Sequence, residues 1–355
     1  MKPAILFLCV TCGIVAQEAE SGFDLRALIG VTSFASNELT ESPRDGSVAG
    51  AGFRALLYPT WKLSKHWTVT GVVQIRSRPY FSEDFSTTGY GIKSDVIQAT
   101  LGYSQFWTGG SVVVRVGELP SAFGSFLLRY SDMDNPLLDM PAAYGYYYRP
   151  VTSLGLTGAQ VDASWHRFDG RVQLTSSSPT NPRSPWEKDQ YANWTVGAGY
   201  TIIQGFRVGV SMYRGPYLDR DFPFFTPNEL PPVSLPATGF GTDASWARGH
   251  TSINGEWQRF QYDYHEIPTF IEQTGYGEIK QVLHPRWFVA GRVGYTHTNY
   301  GAGQSYEAAV GLRPSANQLI KFGYQLQRDS SDGHLDHIVG MQYVAAIHPL
   351  VLAGH

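Results

Sequence analysis

Along most of its length this chain sets an apolar residue at every second position. Trp194, Val196, Ala198, Tyr200 and Ile202 alternate with Asn193, Thr195, Gly197, Gly199 and Thr201. Tyr306, Ala308, Val310 and Leu312 alternate in the same way with Glu307, Ala309, Gly311 and Arg313. A period of two belongs to strands with one apolar and one polar face. The pattern runs on without a long helical stretch, so it predicts a closed sheet. Charges such as Arg171, Glu278 and Lys321 fall on the polar face, which is too wet for a packed core. A barrel that is apolar outside and polar inside is expected in a membrane, where closure pairs every backbone group.

Composition agrees with that expectation. No apolar run is long enough for a transmembrane helix, and a barrel strand needs none, because only alternate residues meet lipid. Aromatic residues make up 14%, including 21 Tyr and 9 Trp, types that favour the headgroup level of a bilayer. A net charge of −3 argues against a nucleic-acid binder. Residues 1–16 read as a secretory signal: Lys2, a short apolar run from Ala4 to Val15, then Ala16 for cleavage. Both cysteines, Cys9 and Cys12, lie within it, so the mature chain 17–355 is expected to hold no disulfide, thiolate metal site or cysteine nucleophile.

About sixteen strands are expected, the first near 23–35 and the last near 335–347. Short connections such as Thr108–Gly109 and Gln204–Gly205 alternate with longer ones, of which the longest runs from Leu119 to Ser153. That alternation matches the short periplasmic turns and long outer loops of outer-membrane barrels. The outward set is expected to include Trp67, Val69, Val73 and Ile75, then Ile97, Ala99, Leu101 and Tyr103, then Val172 and Leu174, with Phe322 and Tyr324 later. The opposite parity carries Arg54, Arg76, Arg115, Arg171, Arg207, Lys280, Arg292 and Lys321, with Asp162, Asp243, Glu256, Glu278 and Glu307. A basic side chain facing mid-bilayer costs roughly 2–4 kcal/mol, so a lipid face requires this segregation.

The long connection after the fifth strand reads LPSAFGSFLLRYSDMDNPLLDMPAAYGYYYRPVTS. Its Phe, Leu, Met and Tyr must be buried somewhere, and the lumen is the available place. Here the chain resembles the outer-membrane porins, whose third external loop folds inward and narrows the channel. The stretch VRVGELPSAFG (Val114 to Gly124) also resembles the phosphate-selective porin type. That resemblance implies a passive channel for ions and small hydrophilic solutes in the outer membrane of a Gram-negative cell, and a homotrimer. Phosphate selectivity does not carry over, because the loop sets Glu118, Asp132, Asp134 and Asp139 against only Arg129 and Arg149. The tail Leu352-Ala353-Gly354-His355 also lacks the terminal aromatic residue common in such barrels.

With these residues as a constriction, the loop acids are expected to face wall cations such as Arg54, Arg76 and Arg115 and set up a field across the pore. Tyr144, within a tyrosine cluster, is expected either to stack on solute rings or to pack the loop to the wall. No cofactor or metal is expected; His334 and His337 read as a surface turn. Two rival readings are a hydrolytic barrel, with Ser164, His166 and Asp162 on one strand, and a non-conducting structural or adhesive barrel. On a single strand, however, alternate residues stand almost 7 Å apart, too far for a hydrogen-bonded dyad.

Overall fold

The computed structural model describes residues 21–37, 49–78, 80, 91–126, 131–144, 155–176, 192–217, 235–264, 268–329 and 335–353. Sixteen antiparallel strands close one barrel, each paired with its neighbours in sequence and the first with the last. They are β1 (Gly22–Ser36), β2 (Ala49–Lys62), β3 (Trp67–Arg78), β4 (Gly91–Trp107), β5 (Gly110–Leu119), β6 (Leu156–Trp165), β7 (Phe168–Thr175) and β8 (Asn193–Ile203). Next come β9 (Phe206–Pro216), β10 (Pro236–Arg248), β11 (Thr251–Tyr262), β12 (Phe270–His284), β13 (Trp287–Thr298), β14 (Ala302–Leu312), β15 (Gln318–Asp329) and β16 (Leu335–Ala353). Short turns join β2 to β3, β4 to β5 and so on at one end, and the longer connections lie at the other, where the link from β13 to β14 is the short exception. Gly109 (φ 84°) and Gly205 (φ 87°) supply the left-handed backbone that such tight hairpin turns demand.

The two faces separate as the alternation predicts. Val69, Leu101, Val172, Leu174, Val210 and Phe322 are exposed on the outside, while Thr32, Gln74, Gln160, Thr195 and Gln342 are buried on the inside. Trp61, Trp67, Phe106, Trp107, Trp165 and Trp287 crowd the short-turn end of the outer face; Trp194, Tyr295, Tyr306 and Tyr324 mark its other side. Paired aromatic girdles of this kind sit at the two interfaces of a bilayer.

Two departures from strict alternation have local causes. Val72 pairs Gln98 and Val73 pairs Val96, so Ile97 is the extra residue of a bulge. Ile97 is therefore buried and Val96 takes the outward place. The last strand does not stop near 347 but continues to Ala353, pairing Gly22 with Ala353 and Phe23 with Leu352. Between them the register jumps from Leu25↔Leu350 to Ala27↔Ile347, setting an extra β16 residue beside Pro349. A proline has no amide hydrogen to donate and fits at such a bulge. The bulge also flips the parity, so that Ile347 and Leu350, three residues apart, share the outer face, and it hides the strand from a period-two reading.

Candidate functional site

The described parts of the connection between β5 and β6, residues 120–126 and 131–144, lie against the inner wall, and their own sequence explains how they are held there. The first segment, 120–126, leaves β5 and crosses β7, β9 and β11. Gln173 donates to the Pro120 carbonyl at 2.9 Å, and the Ala122 amide donates back to Gln173 Oε1 at 3.2 Å. The Gly124 amide donates to Ser211 Oγ at 3.1 Å, and the Ser125 amide donates to Glu256 Oε1 at 3.1 Å. A Cβ on Gly124 would lie 2.2 Å from Glu256 and 2.3 Å from the Tyr144 hydroxyl, so only glycine fits. Tyr144, in a single 3₁₀ turn at Ala142–Tyr144, donates to the same carboxylate at 2.5 Å and packs on Phe126. Ser125 and Tyr144, from the two described segments of the loop, thus meet on Glu256.

Residues 131–139 form a second, deeper attachment. The Ser131 carbonyl accepts from the amides of Asp134 and Asn135 at 3.0 and 2.8 Å, which curls the chain tightly. This curl points the carbonyls of Asp132, Asn135 and Leu137 at one spot, where Lys321 Nζ donates to them at 3.2, 3.0 and 2.7 Å. The Asp132 carboxylate meets Arg54 Nη1 at 3.1 Å and accepts from the Tyr80 hydroxyl at 3.1 Å. Arg292 donates to the Asp139 carbonyl at 3.0 Å and Asn135 Oδ1 at 3.2 Å, with Glu278 and Glu307 on its remaining edges. Arg54, Lys321 and Arg292 are all buried, and a buried charge is tolerated only with partners of this quality. Burial, reinforced by the adjoining carboxylates, pushes the hydroxyls of Tyr80 and Tyr144 well above the ordinary tyrosine range, so both remain donors.

Packing sets the depth. Lys280, Ala290, Ala309, Gly323 and Gly340 follow one another across β12 to β16 in a single inward row. After Lys280 these side chains are small or absent, and the loop settles on them. A Cβ on Gly323 or Gly340 would come within 2.8 or 2.7 Å of Leu138 Cδ1. Leu137 is buried with Phe288, Ala290, Ala309, Leu319 and Val344, and Met133 packs on the same cluster. Phe288 and Leu319 are the second residues of their strands, counted from the short-turn end. Arg313, in the short turn after β14, donates to the Met133 carbonyl at 3.0 Å. The loop therefore descends from one end of the barrel to the turns of the other.

The remaining charged residues divide by position. Arg76 is paired in register with Arg54 and Lys93 on the inner face of β2–β4. Arg115 meets Asp162 at 3.3 Å. Arg207 bridges Asp169 (2.5 Å) and Asp243 (2.7 Å), lying over Gly199 and Gly209, where any Cβ would strike it. Arg171 lies 4.0 Å from Asp169 and donates to the Gly124 carbonyl at 3.4 Å. Lys280 stands 4.6 Å over the Phe288 ring. Glu118 belongs to β5 rather than to the loop and shares the outward parity of Val116, opposite Ala99 and Thr157. Asp134 is exposed and accepts from the Ser131 hydroxyl at 2.7 Å, while the Asp139 carboxylate accepts from the Met140 amide at 2.7 Å.

Asp132 thus contacts Arg54 directly, where the sequence suggested two rows facing each other across water. Tyr144 packs the loop to the wall. Arg129, Arg149 and His334, like residues 1–16, lie outside the described residues. In the rival enzyme constellation, Ser164 Oγ is 2.7 Å from Ser111 Oγ, and Asp162 is engaged by Arg115 and Gln160. The sequence reading did not single out Tyr80, Asn135, Gln342 or Arg313. Gln342, whose amide donates to the Tyr80 hydroxyl at 3.1 Å, at least carried an inward-parity signal.

No protein-family model matches the chain, and no curated protein matches it in sequence. Solved structures do resemble it. The anion-selective porin from Comamonas acidovorans has a TM-score of 0.59 at 11% identity, covering 92% of this chain and 100% of that one. The trimer form of OmpT, an outer-membrane protein of Vibrio cholerae, gives 0.60 at 10% identity over 92% and 99%. The outer-membrane channel DcaP of Acinetobacter baumannii gives 0.59 at 10% identity over 93% and 99%. At these identities the likeness is one of fold: the chain has the sixteen-stranded architecture of outer-membrane porins.

Proposed function

We propose that this protein is an outer-membrane channel through which ions and small hydrophilic solutes diffuse passively, narrowed by the loop between β5 and β6. The reading rests chiefly on how the loop is placed. It crosses β7 and β9 and covers the inner face of β11–β16, while the rest of the inner face of β3–β9 keeps polar side chains such as Thr70, Gln98, Arg115, Asp162 and Asp169. Arg115, Asp162 and Asp169 are 23%, 30% and 33% exposed, as groups along a wet path would be. Solutes cross by diffusion beside the loop, with no covalent chemistry. Liposome swelling with sugars of increasing size tests this directly. Fast swelling with small sugars and a sharp fall with larger ones supports it; no swelling with any solute favours a plugged, non-conducting barrel, which the depth of the loop also suits.

A homotrimer is part of the same proposal, supported by the outer surface. Ser33, Ala35, Ala49 and Ala51 make the rim of β1 and β2 at the long-loop end small, with Phe53 below them, unlike the Tyr295–Tyr306–Tyr324 side. Small side chains let two barrels approach closely, as at helix interfaces in membranes. Ala51→Trp should convert a crosslinked trimer to monomer on detergent gels; a wild type that crosslinks only as monomer removes the trimer.

A further inference from the structure

Most inward cations of this barrel are neutralised where they stand: Arg54 by Asp132, Lys93 by Asp95, Arg115 by Asp162, Arg207 by Asp169 and Asp243, and Arg292 by Glu278 and Glu307. Lys280 and Arg313 are different. Among the described residues neither has a carboxylate at contact distance. Lys280 lies over the face of Phe288, and Arg313 is bonded to the carbonyl and sulfur of Met133. Glu278, two residues along the strand from Lys280, is engaged by Arg292 at 2.7 Å. The same loop tip carries one exposed acid, Asp134, whose bonded partner is the neutral hydroxyl of Ser131.

These three groups share one place. Phe288 beneath Lys280 belongs to the apolar cluster on which Met133 packs, and Met133 is the residue Arg313 holds. The Lys280 ammonium is within electrostatic range of both Arg313 and Asp134, and buried Lys321 adds a third positive charge nearby. The location is toward the short-turn end, where the loop tip reaches deepest. Charges at a narrow, low-dielectric passage act far more strongly than the same charges in an open vestibule.

We propose that Lys280 and Arg313 form an anion-binding step at the periplasmic exit of the pore, opposed by Asp134, and that this step sets the channel's ion preference. The inference rests on the channel reading given above. Its ligands are small anions, chloride or a short carboxylate, drawn to two cations of which one, Lys280, is free of any hydrogen-bonding duty to the loop. Asp134 weakens the step and keeps it from trapping what it binds. Ion preference then comes from the exit and not from the paired arginines of the wall.

The reversal potential across a planar bilayer under a potassium chloride gradient tests this. The wild type should favour chloride. Lys280→Gln should lower the chloride-to-potassium permeability ratio by about 2-fold or more, Asp134→Asn should raise it, and Lys280→Arg should leave it near the wild-type value. Arg313 is left intact because it also holds Met133. Each shift should shrink at high salt, since the Debye length falls to about 3 Å at 1 M. Heat-shifted mobility on a detergent gel reports that each variant is folded. Folded variants at positions 280 and 134 that conduct with the wild-type reversal potential overturn the exit step alone. A wild type that conducts nothing overturns the channel and the exit step together.

Discussion

Arg313 and Met133 are bonded at 3.0 Å although one sits in a turn at the short-turn end of the barrel and the other on a loop that enters from the opposite end. That contact marks how deep the loop reaches. Three cations hold the strap above it: Arg54 by a carboxylate, Arg292 and Lys321 by main-chain carbonyls. Because its anchors are buried charges, the loop is expected to behave as a fixed part of the wall.

Asp132→Asn removes one anchor's charge and leaves Arg54 buried against a neutral amide. Breaking one side of a buried ion pair costs about 3–5 kcal/mol. The expected result is a lower urea midpoint in detergent and a noisier single-channel current, with the strand content by circular dichroism unchanged. An unchanged midpoint and a quiet current would place Asp132 in water.

Gly340→Val adds a side chain where Leu138 Cδ1 lies 2.7 Å from the added Cβ, beside Phe34 at 2.6 Å. Neither neighbour is free to retreat into the wall. The loop should lift from its seat and conductance should rise, while the heat-resistant gel band persists. Ala309→Gly, which only removes bulk from the same row, should leave conductance unaltered.

Tyr80 and Tyr144 ionise well above the usual tyrosine value of 10.0, chiefly through burial and then through Asp132 and Glu256. For a group whose pKa is raised on folding, the stabilisation is complete below the unfolded value and is lost as pH climbs through the folded one. Loop anchoring should therefore hold from neutral pH to about 10 and weaken only above it. Tyrosinate absorbance should show one fewer late-titrating residue in Tyr80→Phe, and one fewer in Tyr144→Phe, than in the wild type. Titration of every tyrosine near pH 10 would contradict the buried hydroxyls.

The outer face makes a separate prediction. Val210 is exposed in mid-strand on the outward parity, whereas Thr70 is luminal. Val210→Arg should destabilise the barrel by roughly 2–4 kcal/mol in lipid, and Thr70→Arg by much less. Equal losses at the two positions would mean that the faces have been assigned wrongly.

Much of this fold was legible in the alternation, because side-chain parity is a local property of a strand. The sixteen strands and the short-long rhythm of their connections follow from it. It fails where a bulge inserts a residue, which is why Ile97 turned inward and why the strand beyond Ile347 went unread past Pro349. Parity also says nothing about register. Ala290, Ala309, Gly323 and Gly340 look unrelated along the chain and become one seat only when four strands are aligned. The loop's charge and apolar content marked it as luminal, but not how deep it lies. Arg313 carries only a polar parity in the sequence, and since its strand ends at Leu312 that parity does not tell where the turn sits beneath the loop.

The most direct measurement is the single-channel conductance of the wild type beside a variant lacking Ser131 to Ala142, both in planar bilayers. The deletion removes the segment that fills the inner face of β12–β16 and exposes Arg54, Arg292 and Lys321 to water. Both proteins should form open channels, the variant with the larger conductance and a cutoff shifted to larger solutes. Identical conductances, or a wild type and variant that are both closed, would contradict a pore narrowed by this loop.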